Sequence, residues 1–204
     1  MILTSIIILL PIVAGLILWD KLPEEMPIHF NAQDVADDYG SRATVVFIMP
    51  LVMLALQWFC AAVTSADPKN QNNTPKTMNL VLWIIPAINL LVSGIMYAYS
   101  LGKEFNISTV MMIFFGFFFI VIGNYLPKCK QNHTIGIKIP WTLSSVENWN
   151  YTHRLAGKLW VICGIILIAT AFLNWVWLSL SIFVIMVAVP FIGSYLFHKK
   201  ESKK

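Results

Sequence analysis

Four histidines are the side chains nearest to carrying chemistry in this 204-residue sequence: His29, His133, His153 and His198. None belongs to an HExxH pair, the helical spacing that holds a catalytic zinc. A serine nucleophile needs a positioned base, and no residue pattern identifies one. No glycine-rich phosphate loop is present. His29 sits in Asp20–Arg42, DKLPEEMPIHFNAQDVADDYGSR, with six carboxylates: Asp20, Glu24, Glu25, Asp34, Asp37 and Asp38. Their spacing around His29 is loose for a metal, and an acidic cap over helix ends is the plainer reading. The three cysteines, Cys60, Cys129 and Cys163, are an odd set without metal spacing and read as reduced packing thiols. No catalytic residue, metal ligand set or cofactor is expected.

The elements that must position these residues are set by composition. The chain is 58% hydrophobic and 12% charged. A soluble domain carries roughly twice that charged fraction. The apolar residues gather in runs long enough to cross a bilayer core. Six spans stand out, near 2–19, 43–63, 79–99, 108–126, 156–174 and 175–197. Each must be helical, because backbone groups in lipid need partners within the span. The fold class is therefore all-α, a polytopic protein of the cell membrane. With the N-terminus inside, eleven Lys and Arg fall on inner segments and three (Lys21, Arg42, Lys103) on outer ones. That asymmetry puts both termini in the cytoplasm. The net charge of +4 reports this topology and calls for no direct nucleic-acid partner. Spans five and six meet at Asn174–Trp175 in a tight antiparallel hairpin, and the second loop is the polar stretch SADPKNQNNTPKT.

Apart from Lys158 near the inner end of span five, no Asp, Glu, Lys, Arg or His lies within a span as drawn, which argues against a proton-coupled pump or antiporter. Gln57, Asn89, Ser93 and Asn124 are polar residues within the spans. They read as interhelical hydrogen-bonding partners, with the lining of a passive path as the alternative. Pro11, Pro50, Pro86 and Pro190 should bend their helices.

Two loops hold the remaining signals. In Asp20–Arg42, Pro23 and Pro27 favour extended backbone before them, and Asn31-Ala-Gln-Asp34 is turn-like. The longest polar interruption, Asn124–Lys158, reads NYLPKCKQNHTIGIKIPWTLSSVENWNYTHRLAGK. Pro127 closes span four. Asn132 and Gly136 offer turns, and Ile135, Ile137, Ile139 and Trp141 alternate along an interfacial segment that Pro140 breaks. Lys138 is placed to reach lipid phosphate. Ser144-Ser145-Val146-Glu147 matches a capping box, so a helix starts near Ser145. On it Val146, Trp149, His153, Gly157 and Trp160 share a face, with Arg154 about 100° away. Trp141 and Trp149 are expected as interface anchors and His153 as a hydrogen-bonded packing residue.

The series GNYLPK, QN, GIKIPWTLSS, Trp149 and THRLAG resembles the C-terminal signature of the SdpI family of bacterial immunity proteins. LPEEMPIHFNA resembles the short N-terminal module that often precedes it. The resemblance implies a six-helix membrane protein of Gram-positive bacteria that protects its cell from a secreted peptide toxin. It implies a signalling role as well, capture of a cytosolic DNA-binding autorepressor at the membrane. Carried over by motif, the inner-loop positions are Asn124, Pro127, Asn132, Gly136, Lys138, Pro140, Trp141, Thr142, Trp149, Thr152, His153, Arg154 and Gly157. The outer-loop positions are Leu22, Pro23, Pro27, His29, Phe30 and Asn31. Two departures stand out. Lys138-Ile139 replaces the family's Arg-Thr before Pro-Trp, losing a planar fork. Asp34 and Asp38 stand where glycine is common.

Two regions follow: residues 1–63, a helix pair with the acidic outer loop 20–42, and residues 64–204, a four-helix region with the basic inner loop 127–158. The expected function is immunity without catalysis, in contact with membrane lipids. A small transporter or channel for an uncharged or lipid-like solute is the alternative. A membrane hydrolase ranks last.

Overall fold

The computed structural model describes residues 1–69, 75–173 and 175–203. Asn174 at the expected hairpin corner, residues 70–74 of the second loop, and Lys204 lie outside the described residues. Among the described residues, seven α-helices and one β-hairpin follow in order: α1 (Ile2–Ile17), β1 (Glu25–Phe30), β2 (Ala36–Ser41), α2 (Met49–Ala66), α3 (Pro75–Ser100), α4 (Ile107–Tyr125), α5 (Pro140–Ser144), α6 (Val146–Thr170) and α7 (Val176–Glu201). A π-helical turn, Thr44–Ile48, leads into α2.

Among the described residues, five helices are long and apolar enough to cross a membrane, within Thr44–Ala66, Met78–Ser100, Ile107–Lys128, Val146–Leu173 and Trp177–Glu201. This is a multi-pass membrane protein, helical apart from one small hairpin. The first expected span is shorter than the others. The 16 residues of α1 extend about 24 Å, against a bilayer core of about 30 Å.

The chain forms two compact units, 1–63 with 78–107, and 64–77 with 108–204. In the first, α3 packs with α1 and α2. The buried face of α1 is Thr4, Ile8, Pro11 and Gly15, at helical spacing. Neighbouring helices reach this face with hydrogen bonds. Gln57 Nε2 donates to Thr4 Oγ1 at 3.3 Å and to Leu82 O at 2.9 Å. Asn89 Nδ2 donates to Ile8 O, and Tyr97 Oη to Pro11 O, each at 2.9 Å. Gln57 and Asn89 are thus interhelical bonding partners, as their types suggest. Ser93 is buried on the same helix, whereas Asn124 is exposed.

The hairpin is the departure from an all-helical reading. Strand β1 pairs antiparallel with β2, Glu25 opposite Ser41 and Phe30 opposite Ala36, with irregular register between Pro27 and Phe30. Met26 enters a core with Leu22, Val45, Val46, Met96 and Tyr97. The turn is built by Asn31, whose Oδ1 accepts from the N–H groups of Gln33 (2.9 Å) and Val35 (3.1 Å). Asp34 completes it in the left-handed conformation, φ 59°. Aspartate tolerates that conformation better than most residues, so glycine is not required there.

In the second unit, α4 and α6 approach through paired glycines. A Cβ on Gly116 would meet Gly164 O, and one on Gly164 would meet Gly116 O. Gly123 and Gly157 oppose each other's carbonyls in the same way. The pairs lie seven residues apart on both helices, so the antiparallel backbones touch along one seam. Trp160 Nε1 donates to Met186 O at 3.0 Å and joins α6 to α7.

Candidate functional site

The connector between α4 and α6 is tied together by buried polar side chains. Asn132 is fully buried. Its Nδ2 donates to Lys130 O (2.7 Å) and Ile135 O (3.0 Å). Its Oδ1 accepts from the N–H groups of Thr134 (2.8 Å) and Ile135 (2.6 Å). One amide therefore satisfies a loop turn that has no ladder of its own. Asp67, just past α2, clamps the outer side of that turn. Its Oδ2 accepts from His133 N–H at 2.7 Å and Thr134 Oγ1 at 3.3 Å, and its Oδ1 from Lys69 N–H at 3.0 Å. Burial pushes this carboxyl's pKa up, but the His133 and Lys69 amides, the Thr134 hydroxyl and nearby His133 outweigh it, so the pKa lies below the ordinary value.

Gly136 follows at φ 112°. A Cβ there would run into His153 Nε2 and the Trp149 ring. Those two rings stack, centroids 4.0 Å apart at 19°. Ile137 N–H donates to His153 Nε2 at 3.0 Å, and His153 Nδ1 lies 2.8 Å from Trp149 O. An amide donor needs an unprotonated Nε2, and a carbonyl needs a protonated Nδ1. The ring is therefore the neutral Nδ1–H tautomer. Trp149 is fully buried, and its Nε1 donates to Cys129 O at 2.9 Å. This corrects the expectation that Trp149 anchors the chain at the membrane interface: the indole N–H finds a backbone partner inside the protein. Burial pushes the neighbouring Cys129 thiol up to about 11.

The PWTL segment forms α5. Thr142 Oγ1 accepts from Ile139 N–H at 3.0 Å and lies 2.9 Å from Ile137 O. Gln131 Nε2 donates to the carbonyls of Thr142 (2.7 Å) and Leu143 (3.0 Å) at the helix end. Pro140 begins this helix rather than only breaking a run, since its missing N–H costs nothing at a first helical position. Trp141 packs against Phe191, Tyr195 and His198 of α7. The cap of α6 is Ser145, whose Oγ accepts from Asn148 N–H at 3.1 Å. The Ser144–Glu147 capping box does not form, because Ser144 is still the last residue of α5.

Asn148, Thr152 and Ser194 form a buried triad between α6 and α7. Asn148 Nδ2 donates to Ser194 O at 3.0 Å, while its Oδ1 receives Ser194 Oγ at 2.6 Å and Thr152 Oγ1 at 3.0 Å. Pro127 packs where a Gly157 Cβ would stand. The geometry thus brings together Pro127, Asn132, Gly136, Thr142, Trp149, Thr152, His153 and Gly157. Asn124, Lys138, Pro140 and Arg154 remain exposed. Lys138 Nζ donates back to Thr134 O at 3.0 Å.

The outer-loop positions divide similarly. Leu22 and Pro27 are buried, and Phe30 meets Tyr99 edge-on at 5.0 Å. Asn31 holds the turn. Pro23 and His29 are exposed, and His29 Nδ1 pairs with Asp37 Oδ1 at 2.5 Å. Among the described residues no three metal-ligating side chains gather. Arg42 was legible only as a charge, yet it ties the hairpin to the end of α1. Its Nη1 donates to Trp19 O (2.6 Å) and Leu22 O (2.8 Å), and its guanidinium lies 4.2 Å from the Trp19 ring centroid. Asp67, Asn148 and Ser194 were also missed, while Gln131 entered the reading only within the QN motif. Of these, only Asp67-Pro68 carries a local sign, a turn-forming pair.

A family model described as the SdpI/YfhL protein family matches residues 128–194, the connector with α6 and most of α7. A second, described as a domain of unknown function (DUF1648), matches residues 6–54, from within α1 through the hairpin into the start of α2. No solved structure matches. The immunity protein SdpI of Bacillus subtilis (strain 168) is 31% identical over 98% of this chain and 96% of its own length. At that identity over nearly all of both proteins, the chain belongs to the SdpI/YfhL protein family.

Proposed function

We propose that this chain is a membrane immunity protein that protects its cell from a secreted peptide toxin without catalysing a reaction. The observation that carries this is the 31% identity, nearly end to end, with a protein named for immunity. With six spans and both termini in the cytoplasm, as the eleven-to-three charge count favours, the hairpin 25–41 faces outward. It is the surface a toxin would meet first. The locked connector is then an inner scaffold. Its exposed cations Lys138 and Arg154 are what it offers a cytosolic repressor, if the protein also signals.

In this reading the two sequence regions are 1–63 and 64–204, with α3 of the second packed on the first. The solute-path reading gains nothing from the structure, because Gln57 and Asn89 spend their amides between helices. The test is survival of a toxin-sensitive strain expressing the protein, against a panel of secreted peptides. Raised survival is expected. Unchanged survival at verified membrane levels overturns the reading.

A further inference from the structure

One face of α6 lies outside the connector, with Tyr151 stacked on Phe197 and Leu155 beside Gly193 of α7 at its edge and the cations Arg154 and Lys158 in the open. An open groove runs along it, lined by Glu147, Asn150, Tyr151, Arg154, Leu155 and Lys158. It measures about 510 Å³, within the ~300–1,000 Å³ range of clefts that hold small ligands. Arg154 and Lys158 are four residues apart, hence neighbours on one helix face. Among the described residues neither pairs with a carboxylate. Like charges at this spacing repel, so the pair carries an uncompensated cost. The same stripe continues as Ile162, Ile165 and Ile166, all exposed on a helix long enough to span the bilayer. The 25 residues of α6 extend about 37 Å, longer than a bilayer core of about 30 Å. Its first turns therefore reach headgroup depth while the isoleucines face acyl chains. Long basic side chains at this boundary direct their charge toward the headgroups.

We infer that Arg154 and Lys158 form a binding site for the phosphate of an anionic phospholipid, whose acyl chains lie along the Leu155–Ile166 stripe. A phosphodiester between the two cations relieves their repulsion, and the Arg154 guanidinium offers it a planar fork. The lipid is favoured over free phosphate because the cations open directly onto apolar side chains that only a lipid tail would cover. The inference is independent of the immunity reading, which a survival assay tests separately; it gives Arg154 to the lipid and leaves Lys138 as the cation offered to a repressor.

The test uses the full chain in nanodiscs of phosphatidylglycerol and phosphatidylcholine, with retained lipid read by native mass spectrometry. Each cation near an anionic surface changes partition about fivefold. R154Q/K158Q should therefore lose phosphatidylglycerol retention by about 25-fold, with unchanged thermal unfolding in neutral detergent. K199Q/K200Q, at the exposed end of α7, should retain the lipid. Equal loss in both double variants would mean diffuse attraction and overturn the site. So would retention that R154Q/K158Q leaves intact, or displacement by millimolar inorganic phosphate. Should R154Q/K158Q unfold, R154K decides: a loss of several-fold from the missing fork supports the site, and no change overturns it.

Discussion

Each ring nitrogen of His153 has a partner that dictates its proton, so this histidine is spent on structure. Gly136 is the price of that arrangement, because only a glycine leaves room for the ring at φ 112°. Gly136→Ala should cost about 2–4 kcal/mol, combining left-handed strain with overpacking, read as a lower melting temperature in detergent. Asp67 gives a pH-dependent prediction. Its pKa is lowered in the folded state, so its contribution is full above the unfolded value of about 3.9 and is lost as pH falls through the folded value. Wild type should exceed Asp67→Asn in stability by a constant margin from pH 7 to about pH 5, and the margin should begin to narrow as pH falls below about 4. A margin that does not narrow at all on acidification would sink the clamp. The sequence showed His153, Gly136 and Asn132 as positions of interest, but not their partners. A backbone carbonyl such as Cys129 O or Trp149 O has no sequence signature, and Asp67 acts across 66 positions to His133.

At the scale of elements, the long apolar helices and the Asn31–Asp34 turn were legible, and the strand pairing of the hairpin was not. Strand β2 reads ADDYGS, poor in the β-branched residues that mark strands. Its pairing comes instead from the Asn31 turn and from Arg42 at the base. Arg42→Lys keeps the charge but loses the fork across Trp19 O and Leu22 O. It should speed amide hydrogen exchange across residues 25–41 while leaving α3 unchanged, as read by mass spectrometry in micelles. The cap of α6 lay one residue from the expected box because the preceding five residues form their own helix. A pattern of Ser and Glu alone does not show which of two adjacent serines begins the helix.

For the molecule as a whole, hydropathy and charge gave the membrane class, and the family follows from the near-complete match with an immunity protein. The short α1 makes topology worth measuring. Reporter fusions at each end should both be cytoplasmic, and an external N-terminal signal would leave five crossings. Survival should depend on the hairpin more than on surface loops that touch nothing. Arg42→Ala should therefore reduce protection at equal membrane abundance in a toxin challenge. The glycine seam bears on how such chains can change length. Gly116 meets Gly164 while Gly123 meets Gly157, so one inserted residue between either pair turns everything beyond it by about 100°. A bulky side chain would then enter the seam. Descendants and engineered variants can lengthen the connector outside the locked turn, but both seven-residue intervals should admit neither insertion nor deletion.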